Sequence, residues 1–400
     1  MPRFEPFRAL RYATDDLGPV IAPPYDVLSD AEVDALQQRS PENITVVDVP
    51  RGGDDRYERA AEVLRDWRER GVVLTDPEPS FTIYRLRFTD DLGRDRDIAG
   101  VLGGLEVLDP GAVSSAEAVP PTRVLPHERT TPKASTDRLD LTRATRANLS
   151  PVWGVSLATG LTALLRESGE PIGTVTEDEV THVVERVTDP ERIAAIQAVL
   201  AADDVLIADG HHRYGVARTY RDEVRSATGR TDTAAEETLT FVNELVADQL
   251  SIAAIHRLYD GIAADELLTA LRRRFEVSPA AAPTPDTLRA MERDGYLVLH
   301  TAAGTWTLSP RPGAFDDVRT LDGAWLEAAL ADLPLEVTYQ HGLEQVLTAI
   351  ADGRAAAAVL IRPVGIEEIE RTAREGLLMP PKSTFFTPKL KTGLVLRPVD

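Results

Sequence analysis

The sequence predicts a mixed α/β (α+β) protein, and three observations predict it. Segments that alternate apolar and polar residues, or run apolar over a few positions, trade places along the chain with segments of helical periodicity. The 400 residues are 43% hydrophobic, enough to bury a sizeable core spread over about two or three domains. The longest fully apolar run, Ala355–Ile361, falls far short of the ~20 residues that cross a bilayer.

Ser29–Arg39 reads as a short helix, opened by Ser29 with Glu32 three residues later in a capping-box arrangement. Tyr57–Arg70 places Ala60, Ala61, Leu64 and Trp67 on one helical face, and Gly71 follows as a stop. Phe81–Phe88 alternates like a half-buried strand, and Ile98–Val107 gives another with glycines inside it. Pro120–Pro151 is polar, punctuated by prolines and short of periodicity before Leu139, so it reads as a long loop. Its His127, Glu128, Lys133, Arg138 and Asn148 are the content of a substrate-facing loop. Val152–Leu157 reads as a strand, Pro190–Leu200 as a helix and Val205–Ala208 as a short apolar strand. Past Gly261 come helices at Ala264–Phe275, Gly323–Leu330, Leu343–Ala351 and Ile366–Glu375, with strands at Tyr296–His300, Thr305–Leu308 and Ala355–Ile361. Ala281–Pro285 is either a linker or a loop within a domain. The expected division is an N-terminal α/β region, residues 1–260, and a C-terminal α/β domain, residues 261–400. The segment 378–395 is expected to return toward the N-terminal site.

Charge narrows the function. Against 44 Lys and Arg stand 65 Asp and Glu, a net of −21, and no basic run overrides it. Such a surface repels nucleic-acid backbones and anionic membranes, so the expected partners are small molecules. With no cysteine, thiolate nucleophiles, disulfides and zinc ribbons are excluded. The N-terminus lacks a basic cap with an apolar core, so a cytoplasmic location is expected. Only four cations are lysines: Lys133, Lys382, Lys389 and Lys391. In a chain that otherwise uses arginine, a lysine is a candidate for a compact point charge beside a phosphate; GC-rich coding that spared four by chance is the alternative.

The segment Asp209-Gly210-His211-His212-Arg213 carries the chemistry. A strand that passes through glycine straight into a helix leaves backbone N–H groups at the helix start, an anion site before any side chain is counted. His211, His212 and Arg213 add donors there, although positive charge in a first turn opposes the helix dipole unless an anion is bound. Asp209 as a plain cap with two ordinary histidines is the alternative, and Asp209 with a histidine around Mg, Mn or Zn is another. Near the end of the chain, Lys382, Ser383 and Thr384 put a cation beside two hydroxyls, without the glycine loop of a Walker motif. Phe385 and Phe386 argue against a free tail.

Taken in order, Pro-Phe-Arg-Ala-Leu-Arg-Tyr, Ala22–Val27 with Tyr25 and Asp26, His-Glu-Arg-Thr-Thr-Pro-Lys, Arg143–Pro151, Ala-Asp-Gly-His-His-Arg-Tyr and Met-Pro-Pro-Lys-Ser-Thr resemble a bacterial and archaeal family, domain-of-unknown-function family 1015, over essentially the whole chain. More distantly, Gly210 to Arg213 after a strand resembles the Gly-X-X-Arg phosphate motif of the ParB/sulfiredoxin-like superfamily, which implies a nucleotide-binding core around residues 200–230. His211 stands where sulfiredoxin has its cysteine, which excludes sulfinic-acid repair. The superfamily's free-serine kinases make phosphoryl transfer from ATP or ADP to a small hydroxylated metabolite such as serine, with Mg²⁺, the leading expectation. In it Asp209, His211 and Glu128 are catalytic; Gly210, His212, Arg213, Lys382, Ser383, Thr384 and Lys133 hold phosphate; Tyr25, Asp26, His127, Arg138 and Asn148 face the substrate. The alternatives are a metal-dependent phosphatase acting on a substrate such as phosphoserine, and a non-enzymatic nucleotide- or metabolite-binding module.

Overall fold

Two β-sheets organise the chain in a computed structural model that describes residues 2–109, 123–126, 135–377, 379 and 382–400. The larger has nine strands. Its main path runs Val124–Pro126, Val205–Asp209, Val152–Ser156, Glu237–Glu244, Asp95–Glu106, Phe81–Thr89, Val180–Val187 and Glu170–Glu177, and Phe4–Glu5 pairs beside Asp95–Glu106. Two neighbouring pairs are parallel, Val205–Asp209 with Val124–Pro126 and Glu237–Glu244 with Val152–Ser156; the other pairs of this sheet are antiparallel. The class is mixed α/β, as the alternation of periods predicts.

Phe81–Thr89 is not half-buried. Phe81 and Ile83 enter one apolar cluster while Tyr84 and Leu86 enter another, so both faces are covered. Asp95–Glu106 crosses the middle of the sheet, and its glycines are there for space: a Cβ at Gly100 would fall 2.2 Å from the Phe241 ring, and one at Gly103 would fall 2.5 Å from Phe4.

The second sheet has six strands, ordered Phe275–Ala280, Gly304–Pro310, Leu297–Thr301, Ala357–Leu360, His256–Asp260 and Glu336–Gln340, all antiparallel. The expected helix from Ala264 stops at Leu271, and Phe275 opens a strand instead. Residues 281–284 connect that strand to the helix Pro285–Asp294 within this sheet's own unit, so they are a loop and not a linker. That helix escapes the periodicity reading because Met291 is the residue it buries; Pro285 and the Thr284 capping box mark its start.

Pro120–Pro151 is also more structured than a loop. Among its described residues are the strand Val124–Pro126, the helix Ser135–Thr145 and the short strand Ala147–Asn148. The helix shows no apolar stripe because Arg138, an arginine, is one of its buried residues, beside Leu139 and Leu141. No helix among the described residues is long and apolar enough to cross a membrane.

Residues 391–397 and Val399, near the end of the chain, are buried. Leu394, Val395 and Leu396 lie in the same cluster as Leu10, Ile21 and Trp153. Leu396 exchanges backbone hydrogen bonds of 2.9 Å with Leu10 in both directions, and Thr392 exchanges a pair of 2.8 and 3.1 Å with Ala22. Lys391, 6% exposed, holds Glu177 at 2.8 Å, and its amide donates to Tyr84 Oη at 3.3 Å. A buried leucine in such a seam is expected to matter: Leu396→Ala should lower stability by about 2–5 kcal/mol, read as a lower urea midpoint with an unchanged slope.

Candidate functional site

The strand Val205–Asp209 buries its first four residues and delivers Asp209 to the sheet edge of the turn. Gly210 follows at φ 82° and ψ 29°, the left-handed region that glycine enters without a Cβ penalty, and the helix His211–Thr228 begins at once. The first intrahelical bond runs from the Tyr214 amide to the Gly210 carbonyl at 3.0 Å. The amides of His211, His212 and Arg213 therefore precede the ladder. Gly210 is the cap residue, with no side-chain hydrogen bond; Asp209 does not cap the helix.

Arg213 folds back over this turn. A Cβ at position 210 would meet its Nε at 3.0 Å and its Cζ at 3.1 Å. The guanidinium donates to the Pro151 carbonyl, and at 3.0 Å to Asp209 Oδ2. Lys389 Nζ stands 3.2 Å from Asp209 Oδ1. One carboxylate is thus shared between two cations from distant parts of the sequence. Burial alone would raise the Asp209 pKa, but Lys389, Arg213 and His211 overcome it and hold the group down at about 2. Burial opposes the charge on Arg213 too, and Asp209, Asp26, Tyr25 and Asp48 outweigh it to keep the guanidinium above its ordinary value.

Arg213 also lines a cleft together with Tyr25, Asp48, Arg138, Asn148 and Ser150. Four of the residues expected from sequence, Tyr25, Arg138, Asn148 and Arg213, come together here from four separate segments. The Arg138 guanidinium lies 4.2 Å over the Tyr25 ring and donates to Asp137 Oδ2 from Nε at 2.9 Å and from Nη2 at 2.6 Å. Asn148 Oδ1 accepts from the Leu239 amide at 3.0 Å, so this side chain also pins the neighbouring strand. Asp26 is exposed beside Tyr25, and His211 and His212 are half-buried in the helix's first turn.

Other expected residues fall elsewhere. Lys382 is exposed at φ 61°, and its carbonyl accepts from Arg257 Nη1 of the second sheet at 3.4 Å. Ser383 and Thr384, half-buried, follow it there. The lysine that reaches Asp209 is Lys389, which also lies 4.5 Å over the Phe385 ring, itself stacked 4.3 Å from His341. Phe385–Phe386 forms a strand on Ile252–Ala253. His127, Glu128 and Lys133 lie outside the described residues. Sequence reasoning flagged Lys389 by its rarity without assigning it to the site, and missed Asp48, a lone acid in the largely apolar stretch Ile44–Val49.

Among the described residues, no group of three or more His, Asp and Glu side chains is placed to hold a metal ion. Asp209, His211 and His212 do not form the ligand set that the phosphatase alternative requires.

The sequence profile of a family described as "Protein of unknown function (DUF1015)" matches residues 4–324. No curated protein matches the chain. Among solved structures, a conserved hypothetical protein from Pyrococcus furiosus is 12% identical, with 66% of this chain and 87% of that one covered and a TM-score of 0.35. A free serine kinase in complex with AMP is 13% identical, over 68% and 88%, at TM-score 0.35. C-terminally truncated SbnI from Staphylococcus aureus is 10% identical, over 67% and 81%, at TM-score 0.36. At these scores the likenesses carry no part of the functional argument.

Asp209 titrates near 2 in the folded chain against about 4 in an unfolded one. Its stabilising contribution is therefore complete above about pH 4 and is lost as pH falls toward 2. Lys389→Met is expected to raise the Asp209 pKa toward the ordinary carboxylate value, read by carboxyl carbon NMR titration; an unmoved Asp209 would separate Lys389 from the site.

Proposed function

The chain belongs to the DUF1015 family, and from that premise we propose that it transfers a phosphoryl group from a nucleotide to a small hydroxylated metabolite, with serine the first candidate acceptor. One observation carries the reading. The Arg213 guanidinium and the Lys389 ammonium meet on Asp209 beside the helix start that follows Gly210, and Arg213 also lines the cleft that presents Arg138, Tyr25 and Asn148.

Phosphoryl transfer asks chiefly for positioning and charge neutralisation, and these groups are of the types that supply both. The amides of His211 to Arg213, with Arg213 and Lys389, would receive the phosphate oxygens; His212 stands in the same turn. ATP or ADP as donor follows from the Gly-X-X-Arg resemblance. The cleft offers guanidinium and carboxylate groups side by side, a complement to a small zwitterion. Mg²⁺ bound to the nucleotide would neutralise phosphate charge, with Asp209 its candidate ligand.

Both cations at the turn already hold Asp209, so an incoming phosphate would exchange with that carboxylate or share its partners. A carboxylate held near 2 stays charged throughout the physiological range. Its role is that of a fixed anion that orients cations and hydroxyl groups, not of a proton carrier.

Arg213→Ala is expected to weaken ADP binding by about 10- to 100-fold, the worth of a hydrogen bond to a charged group, and to abolish nucleotide-dependent turnover. Calorimetry measures the first, and phosphorus NMR of ATP, ADP or CTP with an amino-acid panel measures the second. Circular dichroism checks that the fold survives. Turnover at the wild-type rate in this variant would remove the anion-site assignment. Phosphate release from phosphoserine without nucleotide would favour the phosphatase, and ligand binding without product over hours would favour the binding module.

A further inference from the structure

A buried acid in the cleft has no task in the reading above. Asp48 closes the short helix Thr45–Asp48, is 3% exposed, and lines the cleft beside Tyr25, Arg138, Ser150 and Arg213. Its two oxygens are held unequally. Arg138 Nη1 donates to Oδ1 at 3.3 Å, and at 2.6 Å to the Asp48 carbonyl, which fixes the residue in place. Oδ2 has Ser150 Oγ at 3.5 Å, the outer limit of a hydrogen bond. That hydroxyl is closer to Thr392 Oγ1, at 2.8 Å. An anchored carboxylate with one weakly held oxygen at a cleft wall is the geometry a proton acceptor needs.

The groups that act on it come from four separate segments. Arg138 on the helix Ser135–Thr145 and Arg213 on the helix His211–Thr228 favour its anion. Asp26 on the turn Tyr25–Val27 favours its acid, and Ser150 contributes a hydroxyl. Burial is the largest influence and lifts the group above the ordinary carboxylate value despite the two guanidiniums. Asp209, at about 2, is the weaker base of the two.

We infer that Asp48, and not Asp209, takes the hydroxyl proton of the acceptor, an inference that rests on the phosphoryl-transfer reading. The acceptor's hydroxyl oxygen forms a bond to the terminal phosphorus of the nucleotide. The bond from that phosphorus to the bridging oxygen breaks, and its electron pair leaves with the shortened nucleotide. The hydroxyl proton passes to Asp48 Oδ2 and is released to water with the products. Asp48 is then a catalytic residue, with Arg138 and Ser150 as positioning residues and Thr392 holding Ser150 from the C-terminal segment.

Full-length protein with ATP and serine, or another acceptor from the amino-acid panel that turns over, tests the assignment. ADP affinity is read separately by calorimetry. Asp48→Asn is expected to keep ADP affinity within about threefold while kcat falls by about 10²- to 10⁴-fold, the usual worth of a general base. Wild-type kcat should rise with pH along an acid limb above the ordinary carboxylate range, and Asp48→Glu should retain part of the rate with that limb displaced. Asp48→Asn turning over within tenfold of wild type with the limb intact overturns the assignment and leaves phosphoryl transfer standing. If Asp48→Asn does not fold, an unmoved limb in Asp48→Glu overturns it equally. Wild-type protein that neither binds ADP nor turns over with any nucleotide overturns the broader reading and this assignment together.

Discussion

One half-buried carboxylate between two cations holds the turn on which the proposed chemistry depends. Asp209 ends a sheet strand, Arg213 sits one turn into the following helix, and Lys389 arrives from the C-terminal segment. Removing such charges from water is costly, and an ion pair in this setting persists only when its partners are fixed by the surrounding structure. Here they are fixed. The strand is paired on both sides, the arginine is also tied to the Pro151 carbonyl, and the lysine lies over Phe385.

The C-terminal segment has two tasks that its position in the sequence conceals. Leu390 to Leu396 complete the apolar cluster on one face of the large sheet, while Lys389 and Thr392 reach the turn and the cleft. Folding of the N-terminal strands and assembly of the site are therefore coupled through the same short stretch. Lys391, two residues from Lys389, shows how sharply position decides role: it faces into the core and is paired with Glu177.

The site is close to charge-balanced within a strongly acidic chain. A net charge of −21 would ordinarily repel a nucleotide. Against that field the structure collects Arg138, Arg213 and Lys389 around one cleft and turn, and balances them with Asp48, Asp137 and Asp209. Two of the acids around Arg213 are driven apart by their surroundings. Asp209, flanked by two cations, is held low, and Asp48, more deeply buried, is held high. Two carboxylates with separated affinities for protons are suited to separate roles.

The residues alone determined the mixed α/β class, the strand–glycine–helix unit at Gly210 and most helix boundaries. These rest on local rules of period, capping and turn chemistry that neighbours in the sequence obey together. Pro190–Leu200 and Leu343–Ala351 fall where periodicity put them. The reading lost the helix Ser135–Thr145, whose inward side carries the buried Arg138, and the hairpin Glu170–Glu177 with Val180–Val187, which turns through Asp178 and Glu179 at positive φ without a glycine. Only the tertiary structure decided which lysine meets Asp209, that Asp48 shares a cleft with Tyr25, Arg138 and Asn148, and that the chain's end is core. Those facts join residues as far apart as Leu10 and Leu396, and a contact over such a span is set by how sheets and helices pack, which no local pattern encodes.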